Sequence, residues 1–413
     1  MFYTQSEVKQ FIEENDVKFI RLAFCDLFGR QRNISIMPSE LSRAFEFGIS
    51  FDPSSIEGFD GTEDSDLFLI PDASTLKVLP WRPSHGRVIR FFCKILRADG
   101  SEFACDSRRI LMEAIAAAKK RNLTCNIGTE CEFYLFKADE NGKSTGVPLD
   151  EAGYMDIAPA EHGENVRREI CLMLEAIDIQ PESSHHEKGP GQNEIDFKYS
   201  DALTAADNFL TFKATVATVA AGNGLYASFD PKPIEGKSGN GVHINMSLAR
   251  NGMNMSGSEE SDRFIAGIME HIREISAFLN PLPSSYKRLG EMNAPGYVTW
   301  SPQNRSQLIR IPVSTGAAAR FELRSPDPAM NPYLAFALLI YAGLDGIEKK
   351  TVLEDPTNCD PHSAEGNPEK PLRTLPTSYE DALTFCRNSE FVKAHLPDEV
   401  IAAYIGKNSS FLS

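Results

Sequence analysis

A stretch that sets two adjacent histidines and two glutamates around a Gly-Pro-Gly break has few ways to be buried. SSHHEKGPGQNEIDFKY, from Ser183 to Tyr199, is such a stretch. Charged side chains leave water only against a partner or a metal ion. Gly189-Pro190-Gly191 turns the chain sharply, because proline fixes its own φ and glycine tolerates positive values. A turn there brings Glu187 and Glu194 back toward one point, where carboxylate oxygens suit a hard divalent cation. Taken alone, the stretch reads as a solvated acidic loop; four other segments supply the pieces that change this reading.

The chain has 413 residues, long enough for a large core and more than one domain. At 42% hydrophobic and 24% charged residues it has the composition of a soluble globular protein. A net charge of −16 argues against nucleic acid as the partner. The opening MFYTQSEVKQFIEEN is amphipathic and charged, with no apolar signal-peptide run, and no stretch has the length and apolarity of a membrane span. Eight cysteines without a CxxC pair suggest neither a zinc ribbon nor a disulfide framework. A cytoplasmic enzyme, with no membrane or nucleic-acid partner, is the expectation.

Residues 5–15 carry apolar side chains at helical spacing, followed by strands at 18–28 and 32–37 and a helix opened by Pro38. The segment 48–72 is rich in Gly, Ser, Asp and Pro and reads as a functional loop. A strand at 87–96 closes this first part, and the domain boundary falls near residue 100, dividing the chain into 1–100 and 101–413. Asp106-Ser107 caps a helix over 108–120. Beyond it, strands at 126–137, 191–198, 225–230, 242–248, 308–311 and 319–325 alternate irregularly with helices at 165–176, 202–221, 260–280 and 333–349. That order predicts an α+β fold with an antiparallel-rich sheet. A Pro-, Asn- and Glu-rich segment follows Glu354, and helices near 379–387 and 398–405 finish the chain.

Much of the chemistry lies in segments beyond the first. In Gly128-Thr-Glu-Cys-Glu-Phe133, Glu130 and Glu132 stand two apart on a strand and face the same side. Apolar neighbours from Phe133 to Phe136 mark the strand as buried, and a buried carboxylate pair needs a cation. Gly236-Lys-Ser-Gly-Asn-Gly241 lets backbone N–H groups approach a ligand and leads into His243. Arg288, Arg305, Arg310, Arg320 and Arg324 follow within one stretch, and Glu322 shares a strand face with Arg324. Guanidinium groups beside carboxylates suit a site for a polyphosphate and a carboxylate substrate, since guanidinium binds both bidentately.

With these pieces together, the chain resembles the glutamine synthetase family (type I-like, bacterial or archaeal) nearly from end to end. The resemblance rests on FDPSSIEGF, GTECEFYLF, SHHEKGPGQNEIDF, FDPKPIEGKSGNGVHINMSL, SYKRL, SPQNRSQLIRIP and ARFELRSPDPAMNPYL. It implies a small N-terminal β-grasp-like domain, a larger catalytic domain, and rings of six, stacked as twelve, with each site built at a subunit boundary. It further implies two sites for Mg²⁺ or Mn²⁺, one held by Glu132, Glu187 and Glu194 and one by Glu130, His243 and Glu322. Arg288 and Arg324, with the backbone around Gly239, would clamp glutamate. Arg305, Arg310 and Arg320 would face phosphate, with Tyr199 against adenine and Ser247 beside ATP. The implied reaction phosphorylates the γ-carboxylate of glutamate with ATP and then lets ammonia displace phosphate. Asp52, from a neighbouring subunit, would bind and deprotonate ammonium beside Ser55, Tyr154 and Glu187.

The chain departs from the family pattern at several places. Its flap is one residue short, Gly290-Glu-Met-Asn293, and ends in Asn293 where a glutamate is usual, which leaves Glu291 as the carboxylate able to take a proton. Asn245 stands for a histidine at the nucleotide site, Ser238 for an asparagine beside the substrate, and Asp52-Pro53 for Asp-Gly. Three readings follow, ranked in this order: a ligase using ammonia, a γ-glutamyl ligase using a larger amine such as methylamine, a polyamine or ethanolamine, and a silent structural or regulatory relative.

Overall fold

The structure, a computed structural model, describes residues 3–59, 66–82, 85–291, 294–302, 304–314, 316–357 and 372–406. Two β-sheets organise the chain. The first has the order Gln31–Ile36, Val17–Cys25, Arg87–Arg97, Leu67–Pro71 and Ile49–Phe51, with Lys77–Val78 paired along Arg87–Arg97. Its central pair, Val17–Cys25 with Arg87–Arg97, is parallel and the rest antiparallel. Gln5–Glu14 precedes it as a helix that starts at Thr4, where Thr4 and Glu7 satisfy each other's backbone N–H groups.

The segment 48–72, expected as a loop throughout, is a strand at both ends. Ile49–Phe51 pairs with Leu67–Pro71, whose side chains alternate between buried and half-buried. That period of two in burial belongs to a half-buried strand, but LFLIP is apolar throughout, so the sequence itself does not alternate.

The second sheet has eleven strands. Its order runs Trp300–Ser301, Ile309–Arg310, Phe321–Leu323, Val242–Arg250, Thr124–Ala138, Gln192–Phe197 and Pro181–His186. Ser144–Pro148, Ser200–Asp201 and Leu225–Ser228 also pair with Thr124–Ala138, which makes that long strand the hub. Every pairing except Trp300–Ser301 with Ile309–Arg310 is antiparallel, as the irregular order of elements predicts. The first half of the stretch from Ser183 is therefore strand, not loop, and the turn is confined to the residues between His186 and Gln192.

The helices Ser107–Lys119 and Ala202–Gly222 pack on the hub strand. Asp106 caps the first by accepting from the Arg108 and Arg109 N–H groups. Phe133 on the strand meets Phe212 on the second helix, with ring centroids 6.2 Å apart. Each such fully buried ring contributes about 2–3 kcal/mol of transfer free energy. The two sheets' surroundings are tied by one buried ion cluster. Arg108 lies 3.1 Å from Asp72 of the first part and 3.0 Å from Asp207 of the second, and the Tyr333 hydroxyl donates to Asp207 at 2.6 Å. Among the described residues the cysteines form no disulfide.

Helices Glu259–Leu279 and Pro332–Lys349 pack together away from the sheet's polar face. Between them His271 faces Asp345 at 2.8 Å and Glu274 at 3.4 Å, and Lys349 pairs with the same Asp345 oxygen at 2.9 Å. Burial alone would lower the His271 pKa, but the two carboxylates raise it above the ordinary 6.5. A raised folded pKa means that the stabilisation is complete below 6.5 and lost as pH rises through the raised value. His271→Asn is therefore expected to cost on the order of 1 kcal/mol near pH 6, a difference that shrinks toward pH 9. Urea unfolding of both proteins across that range measures it; a constant difference would assign His271 to packing alone.

Candidate active site

Strand register, more than sequence proximity, assembles the polar face of the large sheet. Glu130 lies opposite His243 on one side and Asp196 on the other. Two residues along, Glu132 lies opposite Glu194, which in turn lies opposite His185. Glu322 lies opposite Asn245 and Arg310. Directly paired residues and residues two apart share a sheet face, so all these side chains project to one side. Like charges placed directly opposite repel, which makes this row of carboxylates a cost to the fold unless cations join it.

The row opens into a cavity of about 460 Å³. Glu130, Glu132, Tyr154, Glu187, Glu194, Gly239, His243, Arg288, Glu291, Arg305 and Arg324 all line it, so eleven of the expected site residues converge there. A second cavity of about 110 Å³ shares Glu130 and adds Tyr199, Ser247 and Arg320, three of the residues expected toward ATP. Arg310 and Glu322 line neither cavity and pair with each other. Asp52 and Ser55 line neither cavity; Asp52 is exposed and accepts from the Ser54 N–H at 2.9 Å. Met292 and Asn293 of the short flap lie outside the described residues, as does 358–371 of the Pro-rich segment after Glu354.

The electrostatics separate two groups. Burial would raise the Glu130 pKa, but hydrogen bonds from His243 at 3.1 Å and Asn245 at 2.8 Å bring it down to about 2. Glu322 is likewise held low against burial, by His243 and by Arg324 and Arg310, both of which pair with it. Glu194, in contrast, is pushed well above the carboxylate range by burial and by Glu132, Asp196 and Glu187 around it. Burial also raises Glu132, although the Gly241 N–H donates to it at 2.7 Å and Gln192 at 3.1 Å.

Two sets of donor atoms come within 4.8 Å of one another: Glu130, Glu194 and His243, and His185, Glu187 and Glu194. The expected grouping differs in its third members. Glu132 is turned to the Gly241 N–H and Gln192, and Glu322 is capped by its arginines. The donor set still fits divalent cations, since it is dominated by oxygen and includes one buried atom without a hydrogen-bond partner, His185 Nδ1.

Close backbone approach explains the glycines here. A Cβ at Gly239 would come within 2.4 Å of the Pro231 carbonyl and 2.9 Å of Arg288 Cγ. One at Gly189 would lie 1.8 Å from the Tyr134 hydroxyl, which donates to the Ser238 carbonyl at 2.6 Å. The substrate-side loop and the Gly-Pro-Gly turn thus meet across Tyr134. Arg288 is buried and fixed by the Ser325 and Arg324 carbonyls, at 2.8 and 3.1 Å.

Several residues escape a reading of the sequence. Asp196 and Gln192 flank Glu194 at two-residue spacing, the same signal that pairs Glu130 with Glu132. Asn245, marked in the sequence as standing for a histidine, accepts from Arg320 at 2.8 Å while donating to Glu130, and this bridge between the two cavities is what the sequence does not show. Lys232, almost fully buried, holds the Glu291 carboxylate at 2.8 Å. Glu291 lines the cavity, but its charge is engaged.

Comparison with known proteins places these residues in context. Residues 104–410 match the family described as glutamine synthetase, catalytic domain, and residues 16–98 match glutamine synthetase, beta-Grasp domain. A glutamine synthetase of Clostridium saccharobutylicum is 44% identical over 98% of this chain and 94% of its own length. One of Methanosarcina mazei is 44% identical over 97% and 92%. Among solved structures, Plasmodium falciparum glutamine synthetase superposes with a TM-score of 0.88 at 25% identity, covering 100% of this chain and 96% of that one. A structure titled apo GmaS gives 0.89 at 30% identity, covering 98% and 95%.

Proposed function

The chain belongs to the glutamine synthetase family, whose enzymes are ATP-dependent glutamate–ammonia ligases, and on that premise we propose how its own residues divide the reaction. The observation that carries the proposal is the register that sets Glu130, Glu132, Glu194 and His243 side by side on one face, with Arg288 and Arg324 lining the same cavity. Glu130, His243 and Glu322 would hold one divalent ion and Glu132, Glu187 and Glu194 a second, Mg²⁺ or Mn²⁺. When bound, such ions supply charge neutralisation for the transferred phosphoryl group.

A carboxylate is a poor electrophile, so the γ-carboxylate of glutamate is first converted to an acyl phosphate by ATP. Arg288 and Arg324, with the backbone at Gly239, hold glutamate. Tyr199 and Ser247 hold the nucleotide in the smaller cavity, and Arg320 and Arg310 face its phosphates. Arg305 meets the negative charge that develops on the transferred group. Ammonia then attacks the acyl carbon and phosphate leaves. Tyr154 and Glu187 form the acceptor half of the site, completed by Asp52 and Ser55 of a neighbouring subunit. This last assignment accounts for Asp52 and Ser55 lining neither cavity of their own chain. A homo-oligomer of six-membered rings, stacked as twelve, in the cytoplasm where ATP and glutamate meet, belongs to the same proposal. Among the described residues no helix is long and apolar enough to cross a membrane.

The test is an amine panel scored by phosphate release from ATP and glutamate. Ammonium is expected to give the highest kcat/KM. A preference for methylamine, a polyamine or ethanolamine would move the chain to a γ-glutamyl-amine ligase, and no glutamate-dependent release with any acceptor would make it catalytically silent.

Proton removal from ammonium falls to Glu291 in this reading, and its ion pair with Lys232 defines how it would be held ready. A placed carboxylate contributes roughly a hundredfold to such a step. Glu291→Gln is expected to slow amide formation by about that factor while sparing the slow, ammonium-independent hydrolysis of ATP in the presence of glutamate. Equal loss of both rates would assign Glu291 to binding, and an unchanged rate with ammonium would make it a surface residue.

A further inference from the structure

One buried ion pair behind the cavity has no part in the reaction as assigned. Asp150 and His186 are both shut off from solvent, and His186 Nε2 lies 2.9 Å from Asp150 Oδ1. The other ring nitrogen, Nδ1, lies 2.7 Å from the Glu187 carbonyl. Both nitrogens thus face acceptors, and the ring spans the distance between a carboxylate and the backbone of Glu187.

Asp150 gathers more than the imidazole. It accepts from the N–H groups of Ala152 at 3.3 Å, His162 at 2.9 Å and Gly191 at 3.0 Å. The first two stand at opposite ends of the loop that carries Tyr154, and the third ends the Gly-Pro-Gly turn. His186 closes the arrangement from its own backbone, because its carbonyl accepts from the Met155 N–H at 2.9 Å. Tyr154 is thereby set beside the strand that leads to Glu187, with its ring edge-on to His185 at 5.5 Å. A loop of this kind, with Tyr154, Met155 and Ile157 largely exposed, has little packing of its own to fix it.

We propose that Asp150 and His186 are the positioning pair for the acceptor half of the site, fixing Tyr154 relative to Glu187 so that the incoming nitrogen meets both. The inference rests on the reading of Tyr154 and Glu187 as the acceptor half. Neither Asp150 nor His186 lines the main cavity, so they act through the residues they hold. Sub-ångström placement of an attacking group governs its rate steeply, and a displaced Tyr154 loop costs acceptor affinity before it costs anything at the nucleotide.

Two substitutions divide the ring between its partners. In His186→Asn the amide occupies the Nδ1 position, keeping the Glu187 carbonyl and releasing Asp150. In His186→Gln it occupies the Nε2 position, keeping Asp150 and releasing Glu187. Each is expected to raise KM for ammonium about tenfold, leaving KM for ATP and the ammonium-independent ATP hydrolysis within about threefold. Unchanged KM for ammonium in folded variants would overturn the proposal, as would equal losses toward ATP, glutamate and ammonium, the pattern of a general structural role. Thermal unfolding checks folding, and Asp150→Asn, which keeps shape and removes the charge, decides the matter if the histidine variants do not fold. Tyr154→Ala is the control for the underlying reading. If it leaves KM for ammonium unchanged, the acceptor half is misplaced; if it raises KM and the His186 variants do not, only the positioning pair fails.

Discussion

Glu132→Ala and Glu194→Ala are each expected to lower ligase activity by about a thousandfold or more while the protein stays folded. The two carboxylates face each other across adjacent strands, and the Glu194 pKa is raised by burial and then by Glu132, Asp196 and Glu187. Removing one takes away the charge that would meet a cation beside the γ-carboxylate of glutamate. The same arrangement predicts the opposite effect on stability. With no metal present, the opposed pair is a repulsive contact, and relieving it in Glu194→Gln is expected to stabilise the apo protein by about 1 kcal/mol. Stability gained where activity is lost marks a site held under strain for function. Phosphate release at saturating Mg²⁺ and thermal unfolding in chelator measure the two halves. A variant that keeps most of its activity would contradict the ligand assignment.

Mixing inactive Asp52→Ala protein with inactive Arg324→Ala protein, and reassembling the two, is expected to restore activity. Arg324 lines the main cavity and pairs with Glu322, whereas Asp52 is an exposed loop residue that lines neither cavity. If Asp52 acts in a neighbouring subunit's site, a boundary with Asp52 from one chain and Arg324 from the other is intact. Random mixing leaves about a quarter of boundaries in that state, so recovery near a quarter of wild-type activity is expected from equal amounts. Mixed oligomers verified by mass that remain inactive would place Asp52 in its own subunit's site or outside the chemistry.

The sequence reveals the parts of the site that local periodicity encodes. Glu130 and Glu132 are legible because an i, i+2 pair in an apolar strand has one orientation, and Asp106 as a cap because the helix it opens is strongly periodic. The same spacing puts Gln192, Glu194 and Asp196 on one face of the strand expected at 191–198, but only its register with Thr124–Ala138 shows that this face is the one carrying Glu130 and Glu132. Other contacts leave no local trace. Asp150 meets His186 across 36 positions and Lys232 meets Glu291 across 59, distances set by tertiary packing alone. The strands at 49–51 and 67–71 are illegible for a related reason: the first is only three residues long and the second does not alternate in sequence, and pairing within the first sheet makes them strands.

The central claim is that this polar face activates the γ-carboxylate of glutamate by phosphorylation before the nitrogen attacks. Oxygen transfer tests it directly. Glutamate carrying heavy oxygen in both γ-carboxylate positions is incubated with unlabelled ATP, ammonium and water, and the released phosphate is analysed by mass. The account predicts one heavy oxygen in every phosphate, formed in step with the amide. Phosphate without label, or label transferred with no amide formed, would contradict it.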